Sequence, residues 1–233
     1  MKNIVILSMG QFASSDVEKL KNGFKDYLGT QGKTITAVEI WDWIKPYLPR
    51  MRLGQMTGLE LRDVFNTKYE VNISGIEFKR IFNSMCEMNG DSSTAIRKFS
   101  EFLFDHAGLQ VLLLSHTNQW HLEYLLEQLS KILPPGQLAV IDATMKATDA
   151  TPLLFIPSML SQKEQHPDTL QYAIETLALD PSEVHIHSFL NTVKTVAGFE
   201  CEYIELSSLE KDLDKLIGVL DEVCQQSIRP RMR

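Results

Sequence analysis

The apolar residues of this chain change their period twice. Residues 4–7 (IVIL) form a short continuous run that gives way to Ser8-Met9-Gly10-Gln11. That is the pattern of a buried parallel strand delivering polar residues at its carboxyl end. From 15 to 107 apolar residues recur at helical spacing: Val17, Leu20, Phe24 and Tyr27, then Val38, Trp41 and Ile44, then Ile81, Phe82 and Met85. Four S/T-x-x-E sequences accompany them, Ser15/Glu18, Thr36/Glu39, Thr57/Glu60 and Ser74/Glu77. Each predicts a capping box, in which the hydroxyl takes an orphan helix N–H and the glutamate reaches back. Gly29, Pro46, Pro49, Gly54 and Gly90 mark breaks.

Near residue 109 the pattern reverts. LQVLLLSHTN predicts a second strand, followed by a helix carrying Leu122, Leu125, Leu126 and Leu129 and ended by Pro134-Pro135-Gly136. Further strands are predicted at 152–158, 183–189 and 201–206, and helices at 167–179 and 208–226. Strands alternating with helices require right-handed crossovers and a parallel sheet. The predicted fold is α/β: a core of residues 1–14 and 108–233, with an all-helical domain, 15–107, inserted after the first strand.

Composition narrows the partners. A formal net charge of −7 over 233 residues argues against a general nucleic-acid binder, and the basic RPRMR ending reads as a solvated tail. Cys86, Cys201 and Cys224 are odd in number and widely spaced, the usage of reduced intracellular thiols rather than a disulfide framework or zinc ribbon. The first apolar run is cut short at Ser8, too early for a signal peptide or membrane span. The expected setting is cytoplasmic, away from membranes and nucleic acid.

Strand order, the position of the insertion and four strand-end motifs together resemble the haloacid dehalogenase-like (HAD) superfamily in its helical-cap branch, over nearly the whole chain. The resemblance implies a Rossmannoid core, hydrolysis through an aspartyl intermediate and, in most of the phosphatases, Mg²⁺. The family's first motif ends a strand with D-x-D or D-x-G; here Ser8 stands at the nucleophile and Gly10 at the third position. Its second is an apolar strand ending in Ser or Thr, matched by Ser115, with His116 in place of a usual asparagine and with Thr117 and Asn118 following. Its third is a lysine before a helix; counting back from Ala173 and Leu177 puts Glu164 there, with Lys163 one residue early. Its fourth is a strand ending in paired acids, where this chain has His187 and Ser188.

Under this alignment the chemistry residues are replaced while the fold residues are kept. Ser8 has no base beside it in sequence and is a weak nucleophile. Magnesium wants several hard oxygen ligands, usually carboxylates, and positions 8, 187 and 188 supply none. An acid at 164 would repel phosphate: a unit-charge pair at about 4 Å is worth on the order of 4 kcal/mol at an effective dielectric near 20. Two rebuilt sites follow from the same alignment. His187, on the strand expected beside Ser8, would make a Ser–His pair; His116, His185 and His187 would make a histidine metal site. Trp41 and Trp43, about 200° apart on a helix, cannot share one face, so one is expected at a cleft or partner. The expected function is a HAD-like homologue without aspartyl chemistry or Mg²⁺. It would bind a small anionic ligand in the cap–core cleft through Ser8, Ser115, His116 and His187, or bind a protein partner. The alternative is a hydrolase with rebuilt chemistry.

Overall fold

The computed structural model describes residues 2–13, 15–106, 108–141, 151–158 and 168–228. Six parallel strands form one sheet: β1 (Lys2–Ser8), β2 (Leu109–Ser115), β3 (Leu138–Val140), β4 (Leu153–Pro157), β5 (Val184–Ser188) and β6 (Glu200–Tyr203), in the order β3-β4-β2-β1-β5-β6. The chain builds outward from β1 through β2 to one side, then returns to lay β5 and β6 on the other. β1 therefore sits where the strand order reverses, the place at which open α/β sheets leave a crevice beyond their carboxyl ends. The short edge strand β3 has no counterpart in the sequence reading, because three half-buried residues after a Pro-Pro-Gly turn carry no measurable period.

Alternation along the strands sends Val5, Leu7, Val111, Leu113 and Phe155 into one core, and Ile4, Ile6, Leu112, Leu154 and Ile186 into a second core on the opposite face. The first core is covered by α7 (Gly90–Asp105), α8 (Gln119–Ile132) and α10 (Leu209–Ile228), the second by α9 (Thr169–Thr176). No helix among the described residues is long and apolar enough to cross a membrane.

Between β1 and β2 lie α1 (Met9–Phe12), α2 (Val17–Thr30), α3 (Ala37–Ile44), α4 (Leu48–Arg52), α5 (Gly58–Tyr69), α6 (Gly75–Asn83) and α7. Helices α2 to α6 enclose a third core of their own, built on Leu20, Phe24, Ile40, Phe65, Phe78 and Phe82. Helix α7 does not share it. Ala95, Ile96, Phe99 and Leu103 face the sheet, so the packing changes near residues 87–90 rather than at the expected 107/108 boundary.

Thr36/Glu39 and Thr57/Glu60 form complete capping boxes. Two other boxes are not complete. Ser74 accepts from the Glu77 N–H, but the Glu77 carboxylate is drawn to Arg80 instead of reaching back. At α2 the N-cap is Asp16, which accepts from the Glu18 N–H at 3.0 Å, while Glu18 pairs with Lys21. Ser15 is thereby released from helix capping. Both Trp41 and Trp43 are half-buried against the helical core, Trp43 among Tyr47, Phe65 and Tyr69. Partial burial of both rings resolves the expected conflict without sending either to a cleft.

The tryptophan at the joint is Trp120, on α8. Its ring packs 6.1 Å from that of Phe78 and 6.0 Å from that of Phe82. Gly58, the first residue of α5, lies flat against it; a Cβ there would stand 2.3 Å from the indole, so only glycine permits this approach.

Candidate functional site

The crevice predicted by the topology is occupied by a cleft of about 320 Å³ between the sheet and the inserted helices. Ser8, Met9 and Gly10 line it from the end of β1, and Leu114, Ser115, His116, Thr117 and Asn118 from the end of β2. Leu48, Arg52, Met85 and Cys86 close it from the insertion, and Ser15 stands between the two. Among the described residues no carboxylate lines it.

Ser8 ends β1 and caps α1 in a reciprocal box with Gln11. Its Oγ accepts from the Gln11 N–H at 3.1 Å and donates to Gln11 Oε1 at 3.2 Å, and its own N–H donates to Oε1 at 3.0 Å. The Gln11 amide Nε2 donates in turn to the Phe189 carbonyl at 2.6 Å and the Leu206 carbonyl at 2.9 Å. Gln11 thus ties β1 to the segments that follow β5 and β6, a role the sequence reading did not assign. Among the described residues the Ser8 hydroxyl is engaged by this cap and by no histidine.

The second strand end is equally built. Asn118 caps α8, its Oδ1 accepting from the His121 N–H at 3.1 Å while its Nδ2 lies 3.0 Å from His121 Nδ1. The other ring nitrogen, Nε2, lies 3.2 Å from the Phe82 carbonyl. A carbonyl only accepts, so Nε2 carries the proton and Nδ1 accepts from Asn118. Burial pushes the His121 pKa down to about 4, holding the ring neutral. Cys86 is also buried, and its thiol is pushed up to about 12, which leaves no thiolate nucleophile in the cleft at neutral pH.

Gly10 and Ser115 line the cleft, and His116 is exposed there. Lys163 and Glu164 lie outside the described residues. His187 and Ser188 require correction. In the sheet register Val5 faces His187 and Ile6 faces Ser188. His187 is therefore three residues short of Ser8, about 10 Å back along the strand. It is buried beneath the sheet's first face, while the Ser188 side chain points to the other and accepts from the Leu190 N–H at 3.3 Å. A Ser8–His187 pair does not form, nor a site joining His116 to His187. Continuing the register by two residues sets Leu190 level with Ser8, followed by Asn191, and neither is acidic. The shift by three arose because Phe189 still pairs with β1, through its N–H to the Ile6 carbonyl at 3.0 Å.

Arg52 was missed by the sequence reading. It follows Pro46 and Pro49, which were read only as breaks, yet they shape the short turn and helix α4 that carries it to the cleft. Among the described residues it makes no ion pair with an acid.

A parallel sheet with β1 at the reversal of strand order, a helical insertion after β1 and a polar cleft at its end define the HAD-like class of α/β fold. The HAD-family enzyme BT-2542 of Bacteroides thetaiotaomicron, solved with magnesium and inorganic phosphate, superposes with a TM-score of 0.58 at 18% identity, over 89% of this chain and 96% of its own. A predicted HAD-like family hydrolase of Porphyromonas gingivalis gives 0.56 at 13% identity, over 94% and 98%. No family model matches the sequence, and no curated protein matches it.

Proposed function

We propose that this chain is a HAD-fold binding protein whose inserted helices act as a cap, and whose cleft receives a small anion such as a phosphate ester without aspartyl chemistry. The observation that carries the reading is the lining of the cleft: Arg52, the hydroxyls of Ser8, Ser15, Ser115 and Thr117, the amino end of α8, and no carboxylate among the described residues. A guanidinium and helix N–H groups both favour negative charge. BT-2542 is crystallised with magnesium and inorganic phosphate. The described residues here fit the second of these and not the first: magnesium needs hard anionic oxygens, and the cation already in the cleft would oppose it. With its hydroxyl proton given to Gln11 and, among the described residues, no base hydrogen-bonded to it, Ser8 is not set up to attack.

The test is a calorimetric titration with inorganic phosphate and simple phosphate monoesters. Arg52→Ala is expected to weaken binding by about 10- to 100-fold, the worth of a charge-assisted hydrogen bond. Turnover of p-nitrophenyl phosphate with Mg²⁺, abolished by Ser8→Ala, would overturn the reading.

A further inference from the structure

The histidines that leave the cleft assemble elsewhere. His185 and His187 project from the same face of β5, their rings stacked with centroids 4.5 Å apart and planes within 2°. Across from them on the edge strand β6, Glu200 pairs in register with His185 and Glu202 with His187. The Nδ1 atom of His185 is 3.6 Å from Glu200 Oε2, and that of His187 is 3.5 Å from Glu202 Oε2. We propose that His185, His187 and Glu202 form a binding site for a borderline transition-metal dication, Zn²⁺ above all, which clips the edge strand to the sheet.

A hydrogen bond to Asn3 fixes the tautomer of His187. The Nε2 atom lies 3.3 Å from Asn3 Oδ1, an amide oxygen that can only accept, so Nε2 bears the proton. The same hydrogen bond orients the ring, as outer partners of metal-binding histidines do. Nδ1 then presents a lone pair toward the lone pairs of a carboxylate. That atom is buried and has no hydrogen-bond partner, in a residue that is 2% exposed. Two lone pairs facing each other across such a gap repel unless a cation lies between them. His185 adds a second imidazole with a buried, unpartnered Nε2.

Ligand atoms of His185, His187 and Glu202 all lie within 4.8 Å of one another. Tetrahedral Zn²⁺ with bonds near 2.1 Å separates its donors by ~3.4 Å, so side-chain rotation has roughly 1.4 Å to close. The glutamate is free to make it, being 58% exposed along its side chain. Glu200 stands ready as a second carboxylate, and two carboxylates with two neutral imidazoles balance a dication. Nitrogen donors select zinc, cobalt, nickel or copper over magnesium. The site lies back along the strands from the cleft and is independent of the anion reading.

The experiment uses the full chain, stripped with chelator, titrated with Zn²⁺ by calorimetry and with Co²⁺ by absorbance. One ion per chain is expected, with visible cobalt bands but no thiolate charge-transfer band, and a rise in Tm on adding zinc. His185→Asn and Glu202→Gln should each weaken zinc binding by about 10-fold or more. Glu202 is at the surface, so its variant decides the matter should the other fail to fold. The proposal is overturned by the absence of saturable zinc binding, by equal binding in Glu202→Gln, or by a thiolate band that moves the ion to a cysteine. A proton on His187 Nδ1 is the competing occupant, and it would give the first of these outcomes.

Discussion

His121 makes the joint between sheet and insertion sensitive to acid, and the size of the effect follows from its surroundings. Both ring nitrogens are committed in the neutral form, Nδ1 to the Asn118 amide and Nε2 to the Phe82 carbonyl, and the ring stacks on Phe82 at 4.5 Å. A second proton would turn Nδ1 into a donor facing the Asn118 NH₂. The amide would then have to rotate, giving up the N-cap bond to α8. The folded pKa of about 4 lies below the ordinary 6.5. The unfolded chain therefore binds the proton first as pH falls, and stability is lost between about 6.5 and 4. A difference of roughly 2.5 units corresponds to about 3 kcal/mol, a large part of a typical 5–15 kcal/mol. Down to about pH 4.5 the native carboxylates, Glu39, Glu60, Glu77 and Glu123 among them, contribute little, because their depressed pKa values act only below the unfolded range. Urea unfolding at pH 7.5, 6.5, 5.5 and 4.7 should show the wild type losing roughly 2 kcal/mol more than His121→Gln, which keeps a donor for Phe82 but cannot titrate. His187, also depressed by burial, is common to both proteins and cancels. Parallel loss in the two proteins would refute the assignment of His121 as a buried neutral ring.

Two structural substitutions probe the rest of the site. Gly58→Ala drives a methyl into the Trp120 ring, an overpacking cost of about 1–3 kcal/mol against at most about 1 kcal/mol gained in helix propensity; a lowered Tm with a shifted tryptophan emission is expected, and an unchanged pair would contradict the close approach. Gln11→Ala removes the amide that holds Phe189 and Leu206 and frees the Ser8 hydroxyl; a loss of about 1–3 kcal/mol in chemical denaturation is expected, with faster hydrogen exchange at the ends of β1 and β5, and wild-type stability would show the bridge to be idle.

Much of the fold was legible because its signals are local and repeated. Five of the six strands carry runs of four or more apolar or alternating residues, and a capping box at Thr36 or Thr57 needs only four residues to be recognised. What escaped is set by tertiary pairing. Whether Ser15 or Asp16 caps α2 turns on Lys21 drawing Glu18 away, which spacing cannot show. Nor can spacing show that α7 packs with the sheet, since its apolar period is the same against either neighbour.

The site divides along the same line. That Ser8, Gly10, Ser115 and His116 stand at strand ends was legible because each lies close to the end of an apolar run visible in the sequence. His187 was misplaced because β5 continues to pair past the point where its run turns polar: Phe189 bonds to Ile6, and the strand end moves on to Leu190 and Asn191. A three-residue slip moves a side chain about 10 Å along the strand and turns it to the opposite face. The alternation pattern shows which residues of β5 share a face but not where along β1 they pair, and that register separates a residue of the cleft from one buried beneath the sheet. Arg52 was out of reach for a different reason. Its approach depends on how the helical segment docks, and the docking is fixed by contacts between elements far apart in sequence: Trp120 on Gly58, and His121 bonded to Phe82. The strand ends carry most of the cleft's hydroxyls, whereas its charge comes from the insertion. Loosening the joint at Trp120 should therefore weaken anion binding without touching a residue that lines the cleft.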